Sequence, residues 1–560
     1  MVLPLIVRSA VRVLLLIIPI AAGIGLGWAW SSHRSSALPA LVRADQAKTL
    51  LFHAGSEPRT LDPQMNQGIP EGKILACLFE GLVVNDPKDN TKQLPAAAES
   101  WTHNDDLSLW TFHLRKDARW SNGDPLTAQD FVFSYQRELT PEVAAPFADF
   151  LFVLKGAEAF FKGKTRDFST VGVKALDSYT LQLELSGPTP YLLSSLTNYF
   201  WYPVHQATLL RFGSISDRTS KWTLPGNMVN NGPFILKAWR KNDVIELVKN
   251  PYYYDQAAVK LSGVNFYSIE DLNTADRAFR AGQLHLTNEV ALPDVPAYRR
   301  DQPELIRIDP AYISYFYRLN VNQKPLDNPK VRMALNLAID REALVTNLLR
   351  AKQGPATGLT PTGLASYPAL DLIHYDPEKA RQLLAEAGYP NGAEFPSSLN
   401  ILINTSESHR QIAEAIQQMW RQDLNISVGI ENQEWKVYID SMNRTHYSIL
   451  RGGWGSGIAD PIGFLQIWTT GNPNNCTNWG SPAYDELINQ AAATADPVQR
   501  LGLLRQAETI LLEAAPIIPI YWYTRTYLLD PSVQNWHPVL LDSHPPKFLD
   551  LEAPQTGMMR

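Results

Sequence analysis

The sequence predicts an α/β protein of more than one domain, because strand-like and helix-like segments alternate along its 560 residues. Residues 109–115 (LWTFHLR) alternate apolar and polar side chains, as a half-buried strand does. Residues 406–430 have the pattern of a helix followed by a strand, which is the repeating unit of α/β folds. A chain of this length exceeds what one hydrophobic core supports, so two or three domains are expected.

Three further elements have clear sequence signals. Residues 126–139 predict a helix that begins after Thr127, a favourable N-cap. Residues 375–392 predict another helix, capped by Asp376. Residues 515–529 (APIIPIYWYTRTYLL) are mostly apolar and are entered through prolines, which predicts a buried strand.

The N-terminal residues indicate export. Arg8 and Arg12 precede Val13–Ser32, a run of 20 residues without charge, which is enough to cross a membrane as a helix. Its length favours an uncleaved inner-membrane tether over a signal peptide, whose apolar core is usually shorter. Cleavage of a signal peptide after Ala37 or Ala44 is the alternative, and either outcome places the rest of the chain outside the cytoplasm.

Composition excludes some partners and some kinds of scaffold. A net charge of −6 and a pI near 6.0 argue against nucleic acid as a partner. Only Cys77 and Cys476 occur, so the fold does not depend on a disulfide framework. The sequence leaves open whether these two cysteines form a bridge with each other.

The sequence lacks the motifs of common catalytic sites. There is no H-E-x-x-H, no G-x-S-x-G and no complete phosphate-binding loop, because Glu158 stands where the loop before residues 163–165 needs glycine. The histidines, such as His103 and His113, do not have the spacing of metal ligands. We therefore expect no catalytic residue, no metal site and no cofactor, and a hydrolase is the least favoured class.

Segments rich in glycine and aromatic residues suggest a binding pocket instead. The clearest is RGGWGSG at residues 451–457, because glycines beside Trp454 allow a ligand or another backbone to come close. Residues 433–442 (QEWKVYIDSM) are a second candidate. The aromatic residues of PYYYD, at 251–255, are better explained as core.

Many segments, in order from about residue 50 to the C-terminus, make the chain resemble the periplasmic oligopeptide-binding proteins, the solute-binding proteins of peptide ABC importers. They include GSEPRTLDPQMNQGIPEGKILACLFEGLV, WTFHLRKDARWSNGDPLTAQDFVFSYQR, PGNMVNNGPFILKAW and NPKVRMALNLAIDRE. The resemblance implies a two-lobed periplasmic-binding-protein clamp (type II, cluster C) with an extra third domain. The implied ranges are 1–44 for the signal or anchor and linker, 45–79, 200–305 and 525–560 for lobe I, 80–199 for domain II, and 306–524 for lobe III.

The resemblance also implies a function. Such a receptor is not an enzyme: it holds an extended oligopeptide between two closing lobes, pairs with the peptide backbone, and delivers it to membrane permease subunits. It implies a periplasmic monomer. The alternative within the same fold is a receptor for a non-peptide or N-blocked solute, such as a sugar, a bile-acid-like molecule or a metal complex.

The resemblance assigns a set of ligand-binding positions. The set includes backbone groups of each lobe and side chains that line pockets. It also includes Arg451 and His409, which match positions that meet a peptide carboxylate. The positions are Gln67, Gly68, Ile69, Phe147, Glu289, His409, Trp435, Arg451, Gly453, Trp454, Gly455 and Gly457.

Two of these positions depart from the family pattern. Peptide binders usually have aspartate, which pairs with the α-amino group of the ligand, where this chain has Gly457. Glu289 is the acidic replacement that could supply that charge; the alternatives are that water reaches the amine or that the ligand lacks it. Asp460 is expected to have a turn or cap role. A family disulfide is also absent, because Gly455 and Ile313 occupy its two positions.

Overall fold

The computed structural model describes residues 40–219, 221–364 and 366–552, with Ile69 described by its backbone alone. The predicted segment Val13–Ser32 therefore lies outside the described residues. Within them, no helix combines the length and the apolar character that crossing a membrane requires.

Helices and strands alternate along the chain, which confirms the α/β class. The helices are α1 Ala40–Gln46, α2 Ile69–Leu78, α3 Ala128–Leu139, α4 Ala157–Phe161, α5 Leu192–Ser195, α6 Gln206–Phe212, α7 Leu272–Arg280, α8 Val295–Asp301, α9 Pro329–Leu337, α10 Arg341–Ala343, α11 Pro377–Glu386, α12 Glu407–Leu424, α13 Trp435–Asn443, α14 Ile462–Leu465, α15 Pro482–Ala492 and α16 Pro497–Ala514. The strands are β1 Thr49–Gly55, β2 Val83–Asn85, β3 Gln93–Pro95, β4 Ala98–His103, β5 Leu109–Leu114, β6 Val173–Asp177, β7 Thr180–Glu184, β8 Phe234–Arg240, β9 Val244–Lys249, β10 Gly263–Ser268, β11 Ile306–Leu319, β12 Gly354–Pro355, β13 Asn400–Asn404, β14 Gly429–Gln433, β15 Ile449–Gly455, β16 Ile517–Leu528, β17 Val533–Gln534 and β18 Asp550–Leu551.

The local sequence signals explain where these elements begin. The strand predicted at 109–115 is β5, and the C-terminal apolar strand is β16. Before α3, the backbone N–H and the hydroxyl of Thr127 both donate to the carboxylate of Asp130, which closes a capping box. Before α11, the carboxylate of Asp376 accepts from the N–H of Lys379.

Three larger sheets organise the chain. One has the strand order β1-β10-β9-β8, and β1 runs parallel to β10. A second, antiparallel sheet has the order β4-β5-β7-β6. The third has the order β12-β16-β11-β15-β13-β14. We retain the ranges predicted for lobe I, domain II and lobe III as proposed domain limits around these sheets.

Strands β11 and β16 form a long antiparallel pair that we call the crossing pair. At one end Ile306 lies opposite Leu528, and both pack in a small core with Phe279. At the other end Tyr317 lies opposite Ile518 in the core of the six-stranded sheet. The pairing shifts register in the middle of the pair. The crossing pair therefore connects two separate cores.

Two sequence expectations about cysteine are settled by this fold. Cys77 and Cys476 are both free, and Cys77 is buried, so they form no bridge with each other. Ile313 and Gly455, which replace the family's disulfide, lie directly opposite each other on β11 and β15. A Cβ atom added to Gly455 would lie 3.0 Å from Cγ1 of Ile313, so the isoleucine side chain fills the space of the missing bridge.

Candidate functional site

A cavity of about 300 Å³ lies among β1, α2, β15 and the C-terminal segment, residues 536–549. Most of its wall is apolar and aromatic, which is typical of sites that enclose small ligands. The residues that line it are Leu50, Phe52, Gln67, Gly68, Gly72, Lys73, Ala76, Asn85, Phe147, Phe150, Thr197, Asn198, Tyr199, Phe200, Tyr202, Val264, Phe266, Tyr312, Ile313, Gly453, Trp454, Gly455, Ser456, Gly457, Ile458, Trp536, Leu540, Leu541, Asp542, Ser543, His544, Pro546 and Leu549.

The structure brings more than half of the predicted site residues into this wall. Seven of them line the cavity: Gln67, Gly68, Phe147, Gly453, Trp454, Gly455 and Gly457. Ile69 is the first residue of α2, next to the lining residue Gly68. Glu289, His409, Trp435 and Arg451 are not among the residues that line the cavity.

Trp454 is held rigidly at the wall. Its indole N–H donates to the carbonyl oxygen of Gly463 at 2.7 Å. Its ring is parallel to that of Phe150 within 12°, with the centroids 6.5 Å apart, and the ring of Phe147 is 6.1 Å away. The tryptophan is therefore a fixed aromatic surface rather than a mobile one.

The glycines beside Trp454 occur there for different physical reasons. A Cβ atom on Gly452 would lie 2.6 Å from Cε2 of Phe316, so this glycine is required by core packing. Gly453 borders the cavity, and its added Cβ would approach the guanidinium of Arg451 to 3.2 Å. The glycine-rich stretch thus serves both the core and the site.

β15 has one edge that the sheet leaves partly unpaired. The strand pairs with β11 over its whole length, from Ile449 to Gly455. On the other side, β13 reaches only Ile449 and Leu450. The part of the edge from Arg451 to Gly455 therefore has no strand partner among the described residues, although the hydroxyl of Tyr438 donates to the carbonyl of Arg451.

Asn198 occupies the space beside Gly457. Its side-chain amide donates to the carbonyl oxygen of Gly457 at 3.1 Å, and also to the carbonyl oxygen of Ser195 at 3.1 Å. A second hydrogen bond at this boundary runs from the N–H of Ala459 to the hydroxyl of Ser194 at 2.9 Å. The amide of Asn198 thus occupies the space that a side chain at position 457 would need.

Asp460 has the cap role that the sequence predicted. Its carboxylate accepts from the N–H of Ile462 at the start of α14 at 2.9 Å. It also forms a bidentate ion pair with Arg500, at 2.8 and 2.9 Å, and the guanidinium of Arg500 lies 5.0 Å from the ring centroid of Tyr191. This aspartate is fully engaged in structure.

Arg451 lies in an aromatic cluster beyond the cavity wall. Its guanidinium donates to the hydroxyl of Tyr523 at 2.5 Å and lies 4.8 Å from the ring centroid of Tyr315. The ring centroid of His409 lies 5.7 Å from that of Tyr315. Burial, together with the charge of Arg451, holds the pKa of His409 well below its ordinary value. His409 is therefore neutral at physiological pH.

Glu289 lies near this cluster. Burial raises its pKa, while the charges of Arg525 and Arg451 and a hydrogen bond with Ser408 act in the opposite direction. The two arginines therefore offset the effect of burial only in part. The remaining predicted residue, Trp435, is the first residue of α13, and its ring stacks on that of Tyr438 with the centroids 5.7 Å apart.

Sequence reasoning missed a charged cluster in the cavity wall. The carboxylate of Asp542 lies 3.3 Å from Nζ of Lys73 and 2.9 Å from Nε of Arg525. His544 is 3.6 Å from the same carboxylate. The available signal was a lysine between glycine and the apolar residues of Ile69–Leu78, but nothing in the sequence indicated its partners near the C-terminus.

Burial dominates the electrostatics of this cluster. It lowers the pKa of Lys73 to about 8, an effect that Asp542 partly offsets. It would raise the pKa of Asp542, but Arg525 and Lys73 outweigh it and bring that pKa to about 2. Burial also lowers the pKa of His544 to about 4. At neutral pH the cluster therefore contains two cations, one carboxylate and a neutral imidazole.

The family model for bacterial extracellular solute-binding proteins, family 5 (middle), matches residues 92–476. The periplasmic oligopeptide-binding protein OppA of Escherichia coli is 35% identical over 508 residues, covering 89% of this chain and 91% of the relative. Among solved structures, that of Haemophilus influenzae OppA in complex with RPPGFSPFR has a TM-score of 0.85 and 32% identity, covering 90% of this chain and 99% of the other.

Two structures of one relative match this chain to different degrees. One structure of the Escherichia coli murein tripeptide binding protein MppA, 32% identical, has a TM-score of 0.84, whereas its unliganded open form has 0.63. Both cover 90% of this chain and 98% of the other. By TM-score this chain is more similar to the first of these structures than to the unliganded open form. The fold is accordingly the two-lobed clamp with an extra domain, and the chain belongs to the bacterial extracellular solute-binding proteins of family 5.

Proposed function

We propose that this protein is a periplasmic receptor that binds an extended oligopeptide between its lobes, without chemical change, and delivers it to the permease subunits of an ABC importer. The observation that carries the proposal is the partly unpaired edge of β15 beside the aromatic cavity. A peptide backbone pairs with such an edge as an added strand. Its side chains then enter the space lined by Trp454 and Phe147.

The relatives support this proposal, because their names describe oligopeptide and murein-peptide binders of the periplasm. The sequence supports the non-enzymatic part, because it lacks the catalytic motifs sought above. The N-terminal tether remains a proposal, as does the monomeric state.

A thermal-shift screen with tripeptides to pentapeptides tests this function. A ligand that binds only the folded state adds about 2.7 kcal/mol of stability at a hundredfold excess over Kd. We expect stabilising peptides, and recovery of those peptides unchanged by mass spectrometry. A screen in which no peptide stabilises the protein, or in which hydrolysed peptide accumulates, would contradict the proposal.

A pair of glycine variants localises the binding. Gly453→Ala adds a methyl group at the cavity wall, where only the flexible end of Arg451 must shift, so we expect weaker peptide binding in a folded protein. Gly502→Ala is the matched control, because nothing lies within 4 Å of the added Cβ atom. It lies within α16, so it should raise stability slightly and leave peptide binding unchanged.

Three outcomes for the peptide's α-amino group remain: Glu289 pairs with it, water reaches it, or the ligand lacks it. The position of Glu289 favours the last, because Glu289 is not among the residues that line the cavity. Titration of Glu289→Gln with free and N-acetylated peptides distinguishes them. A selective loss for the free-amine peptide would establish Glu289 as the partner.

A further inference from the structure

The cavity wall contains a pair of opposite charges. Lys73 and Asp542 are the residues in its described wall that carry a full charge, since burial keeps His544 neutral. Arg525 lies directly behind them and shares the carboxylate of Asp542. The carboxylate of Asp542 is thus shared by Lys73 in the wall and Arg525 behind it.

Lys73 is the cation that a ligand can reach. Its side chain retains 20% of its exposed area, and the residue lines the cavity. An ammonium group has three N–H donors. The contacts of its Nζ atom are Asp542 at 3.3 Å and the ring of Phe52, whose centroid is 5.2 Å away. This leaves room for an acceptor from a ligand.

The same wall offers nothing comparable to a ligand amine. The carboxylate of Asp542 is already engaged by Lys73 and Arg525. Beside Gly457 the amide of Asn198 presents its N–H groups to backbone carbonyls. A buried ammonium without a partner carboxylate is strongly disfavoured. The charge and the apolar lining together favour a ligand that is anionic and otherwise apolar.

We propose that Lys73, supported by Arg525 and held in place by Asp542, forms an anion-binding subsite that takes a carboxylate of the ligand, and that the ligand enters this cavity without a free amine. The inference rests on the proposed function and specifies its ligand class: N-blocked peptides with an apolar body. The same chemistry is shared by non-peptide apolar carboxylic acids, which the experiment separates from peptides.

The experiment is calorimetric titration at pH 7 with Ala-Phe-Ala in four forms: free, N-acetylated, C-amidated, and blocked at both ends. Deoxycholate is the non-peptide carboxylate. With the wild type we expect the N-acetylated acid to bind at least tenfold more tightly than the free peptide, because its blocked amine carries no charge into the cavity, and amidation to weaken binding at least tenfold. Lys73→Met should remove this preference for the acid, and Lys73→Arg should retain it.

Two further variants make the assignment specific. Asp542→Asn frees both cations and should tighten binding of the acid several-fold without tightening binding of the amide. Lys164→Met removes an exposed lysine outside the cavity and should change nothing. Melting temperatures establish whether each variant is folded. If Lys73→Met is not folded, Lys73→Arg is the variant that tests the subsite.

Each outcome bears on a different claim. Peptides that bind equally well to wild type and Lys73→Met, or that require the free amine, would overturn the subsite. Loss of the acid preference in Arg451→Met but not in Lys73→Met would also overturn it. Lys73-dependent binding of deoxycholate with no binding of any peptide would uphold the subsite and overturn the peptide receptor. Failure of every probe to bind would count against both.

Discussion

The side-chain amide of Asn198 donates a hydrogen bond to the carbonyl oxygen of Gly457 at 3.1 Å, joining residues that lie 259 positions apart in the sequence. A Cβ atom added to Gly457 would lie 1.9 Å from Oδ1 of Asn198. The two positions are therefore coupled: any side chain at 457 displaces the amide at 198.

This coupling predicts non-additive stability changes. Gly457→Asp should lower the free energy of unfolding by about 1–3 kcal/mol, because the Asn198 side chain must leave its hydrogen bonds. Asn198→Ala opens the space, so the double variant should be more stable than the sum of the single changes implies. Thermal unfolding of the four proteins measures the difference. Strictly additive changes would show that the two positions are independent.

The ion pair between Arg500 and Asp460 predicts a large stability effect. Both side chains are buried, with 4% and 14% of their area exposed, and the pair is bidentate. Arg500→Ala leaves a buried carboxylate uncompensated and should cost about 3–5 kcal/mol. Arg410→Ala, which breaks exposed pairs with Glu407 and Glu414, should cost less than about 1 kcal/mol. Comparable losses in urea denaturation would contradict this assignment.

Asp542 predicts an acid-dependent loss of stability. Its pKa of about 2 in the folded protein is below the value of 3.8 expected when unfolded. The carboxylate therefore contributes roughly 2 kcal/mol that is fully present above about pH 4 and is lost as the pH falls toward 2. Asp542→Asn should lack this part of the pH dependence. A variant curve parallel to that of the wild type between pH 2 and 4 would disprove it.

Lys73 predicts the opposite effect at alkaline pH. Its folded pKa of about 8 lies below 10.5, so burying the ammonium costs stability at neutral pH. That cost is relieved as the pH rises from about 8 to 10.5. Relative to Lys73→Met, the wild type should therefore gain stability over this range. Denaturation curves at pH 7, 9 and 10.5 measure the gain, and its absence would show that Lys73 is not desolvated.

The position of α1 in the fold limits where a signal peptide could be cleaved. Leu41 and Ala44 are buried in a small core with Leu51. Cleavage after Ala44 would remove most of α1, so any signal-peptide cleavage should occur after Ala37 instead. An uncleaved tether should give protein that begins near Met1 and fractionates with the inner membrane. N-terminal sequencing of the periplasmic and membrane fractions distinguishes these outcomes, and a mature chain beginning at Asp45 would contradict the structural role of α1.

Local chemistry made much of the fold predictable. Thr127 and Asp376 cap their helices through neighbours within three positions, so the sequence alone indicates them. The glycines around Trp454 likewise marked a wall of the cavity. The cluster of Lys73, Asp542 and Arg525 was not predictable, because its members come from opposite ends of the chain and no periodic pattern links them.

The crossing pair has a consequence for how this protein reaches its native state. The core beneath β1, near the start of the described chain, includes Leu529, Leu549 and Leu551 from its end. Strand β16 therefore contributes to two structures. It pairs with β11 in the six-stranded sheet, and it leads into the C-terminal residues that complete the core beneath β1. The core beneath β1 cannot be completed until these last residues are available. We therefore expect the chain, when exported, to acquire its complete native structure only after residues 529–551 have crossed the membrane.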